Sequence, residues 1–209
     1  MNSKSPFYRY PLLYINGLKL AHGKTFLRRY EYMASFVKRG DRVLEPGCGP
    51  AILADFLPKG SFYLGFDNNR TFIEYASKKG HDVHLGDVLD EKNYSPSEVV
   101  VVCDVIHHLK PSERKPFIRY CFRFAKKTLV ICEEGKTTNQ GKGHFKPLSR
   151  WWFEFIEKDG TNKPKLEDVW SKKTLLVMID DGFGVIPATT FRATQKIGED
   201  TIVAYVKNS

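Results

Sequence analysis

The stretch Arg42 to Asp67, RVLEPGCGPAILADFLPKGSFYLGFD, constrains this chain more than any other, because it encodes a strand, a glycine turn, a helix and a second strand in succession. Its first strand, Arg42 to Glu45, runs straight into Gly47-Cys48-Gly49, where two residues without side chains let backbone approach a ligand. A helix is expected to start at Pro50 or Ala51, since Pro is tolerated in a first turn, and its first N–H groups would face whatever the glycines hold. The second strand, Phe62 to Phe66, ends at Asp67. In a βαβ unit an acid at that point can accept hydrogen bonds from two ribose hydroxyls, so the expected ligand is a nucleoside.

The residues around the glycines separate two classes of nucleoside ligand. With Gly47 as first glycine, the dinucleotide fingerprint G-x-G-x-x-G/A needs a small residue where Ile52 stands, and it fails there. Glu45, just ahead of the glycines, would repel a pyrophosphate and attract an ammonium or sulfonium group. E-P-G-C-G-P after a strand, followed by G-F-D-N-N, resembles motifs I and II of the class I S-adenosylmethionine-dependent methyltransferases, in particular the small-molecule, methyltransferase type 11/12-like members. The resemblance runs from about Asp41 to the C-terminus. It implies an α/β fold, a Rossmann-like doubly wound seven-stranded sheet, mostly parallel with an antiparallel last strand. It also implies S-adenosyl-L-methionine as cofactor, held by Glu45, Gly47, Cys48, Gly49, Asp67 and Asn68. A third strand, Asp82 to Leu85, delivers Gly86-Asp87-Val88. In the resembled family an acid here accepts a hydrogen bond from the adenine amino group and the next backbone N–H reaches the ring, positions that Asp87 and Val88 match.

Val99 to Cys103 is nearly all valine, the pattern of a strand covered on both faces near the centre of a parallel sheet. The segment after it, Asp104-Val105-Ile106-His107-His108-Leu109-Lys110-Pro111, resembles motif IV, which lines the methyl-transfer site. Methyl transfer from a sulfonium is an in-line displacement, and an acceptor that must lose a proton needs a base for which a histidine is suited. Either His107 or His108 is the expected catalytic base, with the other holding the loop. Asp104 is expected to hold the amino-acid end of the cofactor or the pocket loop. Adjacent histidines cannot face one metal as an i, i+4 pair would, so no metal site is expected.

Residues 1–40 are expected to form an N-terminal arm and a helix covering the pocket, with the domain proper spanning 41–209. Phe7, Tyr8, Tyr10 and Tyr14 make the arm aromatic but without periodicity, so it either folds over the pocket or packs on the surface. From His22 to Lys38, Phe26, Tyr30, Met33 and Val37 mark one helical face. Further helices are expected over Arg70–Lys79, Ser112–Phe124 and Ser171–Asp180, and further strands over Thr128–Cys132, Gly182–Phe191 and Thr201–Val206, the last two forming a hairpin. The insertion at about 136–170 carries Trp151, Trp152, Phe153 and Phe155, and its aromatic helix is expected either to cap the substrate side as a lid or to pack as a satellite.

At 209 residues the chain suits one domain. A net charge of +9 favours acidic partners, yet the basic pairs, such as Lys78-Lys79 and Lys126-Lys127, fall at element ends where they complement helix dipoles. Cys48, Cys103, Cys121 and Cys132 show no CxxC spacing and read as reduced, buried thiols. The absence of a membrane-length apolar run or a signal peptide leads to the expectation of a soluble, cytoplasmic protein. No N-P-P-Y or D-P-P-Y motif follows the fourth strand, which argues against amino-group chemistry and for a small-molecule or lipid-like substrate. The alternatives are a tRNA or rRNA methyltransferase using the basic surface, nucleic acid being a possible but unfavoured partner, and a non-catalytic S-adenosylmethionine-binding module.

Overall fold

A computed structural model describes residues 6–134, 172–183, 190–198 and 200–207. Seven strands form one sheet: β1 (Arg42–Pro46), β2 (Phe62–Asp67), β3 (Val83–Leu85), β4 (Ser97–Cys103), β5 (Ala125–Glu134), β6 (Thr190–Ile197) and β7 (Asp200–Lys207). Their spatial order is β3-β2-β1-β4-β5-β7-β6, with β1 to β5 mutually parallel and β7 antiparallel to both neighbours. The order reverses between β1 and β4, and in a parallel sheet the crevice outside the carboxyl ends of the strands at such a reversal is where ligands bind.

The valine run explains the centre. Val99 to Val102 are all but inaccessible, because β1 and β5 flank β4 and helices cover both faces. Leu44, Val100, Val102 and Ile131 pack on one side with Phe117, Ile118, Leu175 and Ile179, which come from α4 (Pro111–Phe124) and α5 (Lys172–Phe183). Val43, Val99, Val101 and Val130 pack on the other with Phe26, Tyr30 and Met33 of α2 (Thr25–Ala34). Helix α3 (Arg70–Lys78) begins where the Asn69 side chain accepts the Thr71 N–H at 3.0 Å, a side-chain cap on an otherwise unpaired donor. No helix of the described residues is long and apolar enough to cross a membrane.

Three expectations are corrected. The N-terminal arm is not irregular: Pro11–His22 is a helix, α1, with Pro at its start, and it turns at Gly23 into α2, so the helix read as beginning at His22 starts at Thr25. No α-helix follows the glycine turn. Ala51 adopts φ 56°, in the left-handed region, and Pro58 forces Leu57 into extended backbone, leaving six residues, Ile52 to Leu57, between two breaks. That is too short to repay helix nucleation, and the chain settles for one 3₁₀ turn, Leu53–Phe56, with Leu53 buried. Finally, Gly182 does not open a strand. It lies in α5, where a Cβ would come within 2.9 Å of Ile118, so the glycine allows α5 to approach α4, and the strand falls at Thr190–Ile197. The aromatic insertion at about 136–170 lies outside the described residues.

Candidate functional site

Because β1, β2 and β3 are adjacent and parallel, their carboxyl ends bring Glu45, Asp67 and Asp87 to one edge of the sheet. The three differ in burial, and that sets what each can do. Glu45 is 3% exposed, and its Oε2 accepts the Tyr63 hydroxyl at 2.5 Å. Burial pushes its carboxyl up to about 8, with Asp67 adding to the effect and the Tyr63 bond opposing it. A carboxyl so placed is neutral at pH 7 until a cation approaches it.

Asp67 is the clamp of the site. Its Oδ2 accepts the Gly49 N–H at 2.9 Å and its Oδ1 the Asn69 N–H at 2.7 Å, tying the glycine turn to the start of α3. The turn is shaped further by Gly47 and Cys48, whose N–H groups both donate to the Phe66 carbonyl, at 2.8 and 3.0 Å. Gly47 has φ 72° and faces Val105, where a Cβ would meet a methyl carbon at 2.7 Å, so this glycine lets motif I touch the loop after β4. Asn68 is exposed between the two loops. Asp87 is exposed and its Oδ1 accepts the Leu89 N–H at 2.9 Å, while Val88 is half-buried against the core.

The second cluster sits at the tips of β4 and β5. Asp104 takes φ 55° and its N–H donates to the Cys132 carbonyl at 2.9 Å, which turns its side chain across the sheet end. There it pairs with Arg29 of α2, Nη1 to Oδ2 at 2.8 Å; Arg29 is wholly buried and also lies 3.5 Å from Asp200. Burial and the nearby Asp104 raise the Asp200 carboxyl, against the pull of Arg29. One residue along, Glu133, 0% exposed, accepts the N–H groups of Val105 and Ile106 at 3.0 and 2.6 Å, and its Oε2 lies 2.7 Å from His107 Nδ1. His107 and His108 are in ring contact, with centroids 4.1 Å apart. Of the two, His107 is the one whose Nδ1 lies against the buried Glu133 carboxyl group.

Over this edge lies α1. The Tyr14 ring is 4.9 Å from Phe72 and 5.5 Å from Tyr8, and the Asn69 amide donates to the Tyr8 carbonyl at 3.0 Å. Burial and, beyond it, the carboxylates of Asp104 and Asp67 push the Tyr14 hydroxyl upward, with Arg29 opposing. Arg29 and Glu133 are the residues at these strand tips that sequence reasoning missed. Position 29 did carry a signal, since it falls on the same helical stripe as Phe26, Tyr30 and Met33, where a charged residue must find a partner.

The group that can be tested here for metal binding is Asp104, His107 and Glu133, whose ligand atoms lie within 4.8 Å of one another. Arg29 already pairs with Asp104, while Glu133 is engaged by two backbone N–H groups and the His107 ring, so each carboxylate already has a partner within the chain. A surface depression of about 510 Å³, lined by residues including Asp41, Arg42, Phe62 and Lys127, lies at the opposite ends of the strands and takes no part in this chemistry.

Comparison with solved structures decides the fold. One match is a chain of the complex between a Haloferax volcanii methyltransferase activator and a putative methyltransferase, at 14% identity over 99% of this chain and 100% of that one, with a TM-score of 0.69. The chain has the class I methyltransferase fold. Magnesium protoporphyrin IX methyltransferase from Synechocystis PCC 6803, solved with bound SAH, matches at 17% identity over 92% of this chain and 86% of that one, TM-score 0.61. A TehB-like SAM-dependent methyltransferase from Corynebacterium glutamicum matches at 16% identity, 86% and 87% coverage, TM-score 0.57. No protein-family model matches the sequence, and no curated protein does.

Proposed function

We propose that this chain is an S-adenosylmethionine-dependent methyltransferase acting on a small-molecule or lipid-like acceptor. The observation that carries the reading is the Asp67 clamp, a carboxylate at the tip of β2 bonded to the second glycine of motif I, in a sheet of this strand order. The donor set fits the cofactor. Asp67 would share its oxygens with the ribose hydroxyls, Asp87 and the Val88 N–H would meet the adenine, and Gly47, Cys48 and Gly49 with Asn68 would wall the nucleoside. Glu45, neutral in its burial beside Tyr63, would ionise on meeting the amino-acid end. Bound there, the cofactor supplies an electrophilic methyl group on a sulfonium sulfur.

The chain's own part is alignment and proton handling. In this reading Glu133 accepts from His107 Nδ1–H across their 2.7 Å contact, the tautomer that leaves a lone pair on Nε2 to take the acceptor's proton, and Glu133 then faces the imidazolium. Glu133 is a positioning residue and His107 the base; His108 packs against it. Asp104, held by Arg29, fixes the loop wall. His107→Ala should lower turnover by roughly 10²- to 10⁴-fold while leaving cofactor affinity nearly unchanged. Label transfer from methyl-labelled cofactor into lipid, small-molecule, RNA and protein fractions of a cell extract identifies the acceptor class. The net charge of +9 supports a second reading, an RNA methyltransferase, which requires label in the RNA fraction and RNA binding that weakens steeply with salt.

A further inference from the structure

The outward face of α1 carries three exposed leucines, and the charged residues of the chain up to Arg29 are all basic. Leu12 is 63% exposed, Leu13 44% and Leu20 74%. With exposed Asn16 and Lys19 they make one side of the helix, at spacings of one, four, seven and eight from Leu12, while Gly17 is buried on the other side. Tyr10, just ahead of the helix, is 62% exposed and Leu27, in the first turn of α2, is 47%. The first acid in the chain is Glu31; every charged side chain before it is basic, namely Lys4, Arg9, Lys19, Lys24, Arg28 and Arg29. Arg29 is drawn inward by Asp104. Among the described residues, no ion pair holds Arg9, Lys19, Lys24 or Arg28.

We propose that this face docks on an anionic lipid bilayer, with α1 lying in the plane of the interface. A single helix presents a convex surface: its leucines can enter the acyl boundary while Lys19, Lys24 and Arg28 extend their stems along it and keep their charges among phosphates. The basic residues that flank the leucines, Lys19, Lys24 and Arg28, select against the other occupants. A two-fold contact between copies would set this patch against itself and oppose like charges. RNA would satisfy the lysines and arginines and leave three leucines in water. Another side of the same helix carries Tyr14, packed 4.9 Å from Phe72 of α3, so docking brings α3, and the β2 tip at its start, within about one helix diameter, ~10 Å, of the lipid. The proposal goes beyond the methyltransferase reading and stands without it.

The test is sedimentation of the full chain with phosphatidylcholine vesicles, with and without phosphatidylglycerol, at low and high salt. Binding is expected only to the phosphatidylglycerol vesicles and should weaken with salt. Each basic residue near such a surface strengthens binding roughly fivefold, so K19E/K24E should weaken it by more than about 20-fold. L13E/L20E should abolish binding; both pairs are exposed, and an unchanged melting temperature confirms that the fold survives. No binding to the phosphatidylglycerol vesicles, or undiminished binding by L13E/L20E, would overturn the proposal. So would a dimer in size exclusion that L13E/L20E dissolves, or retention of RNA without retention on vesicles.

Discussion

In the proposed mechanism Glu133 is the positioning residue, since from one buried position it accepts the N–H groups of Val105 and Ile106 and lies 2.7 Å from the His107 ring. Glu133→Gln keeps a carbonyl for the loop but loses the charge facing the imidazole. Turnover should therefore fall below wild type, and the acidic limb of the pH–rate profile should move to lower pH, as an imidazolium without its carboxylate partner gives up its proton more easily. A variant that was merely structural would change melting temperature without moving that limb. Glu45 makes a separate prediction about stability. Its carboxyl rises from 4.5 to about 8 on folding, so between those values the unfolded chain has released a proton that the folded one retains. Its contribution is present in full below about pH 4.5, declines as the pH rises toward 8, and levels off above it. Denaturant titrations across this range should show the decline, and Glu45→Gln should flatten it.

Helix α2 and the glycine turn show how elements carry the site. Arg29 occupies a core position on α2, between Phe26 and Met33, with its guanidinium 5.4 Å from the Phe26 ring and 5.0 Å from the Tyr30 ring. Arg29→Ala leaves Asp104 facing Asp200 without a cation and should destabilise the fold by about 3–5 kcal/mol, measured by urea denaturation. Gly47→Ala puts a methyl 2.7 Å from Val105 in a left-handed backbone position, costing at least about 1–2 kcal/mol and displacing the loop that carries the histidines. The turn itself was legible in the sequence because glycines at those positions have a backbone reason. The helix after it was not: Pro50 looked like a helix start, whereas Ala51 takes a conformation that only its surroundings impose. For Arg29 the stripe position was legible but the pairing was not: its carboxylate partners, Asp104 and Asp200, lie 75 and 171 residues away in sequence.

For the molecule as a whole, the sheet was readable because each strand tip announces itself, through Gly47-Cys48-Gly49, Asp67, Gly86-Asp87 and Asp104, and the valine run marks the centre. What long-range packing decides was not readable: that residues Pro11 to His22 form a helix over the strand tips, that Glu133 reaches across to His107, and that Glu45 is shut beneath the turn with Tyr63. The strand tips of β1, β2 and β3 are read here as parts of one nucleoside site, with Asp67 at its middle. Calorimetric titration of S-adenosylhomocysteine into the wild type and into Asp67→Ala tests this most directly. One-to-one binding that weakens by about 100-fold or more in the variant is expected, as two hydrogen bonds to a charged acceptor are lost. No binding to the wild type, or equal affinity in Asp67→Ala, would contradict it.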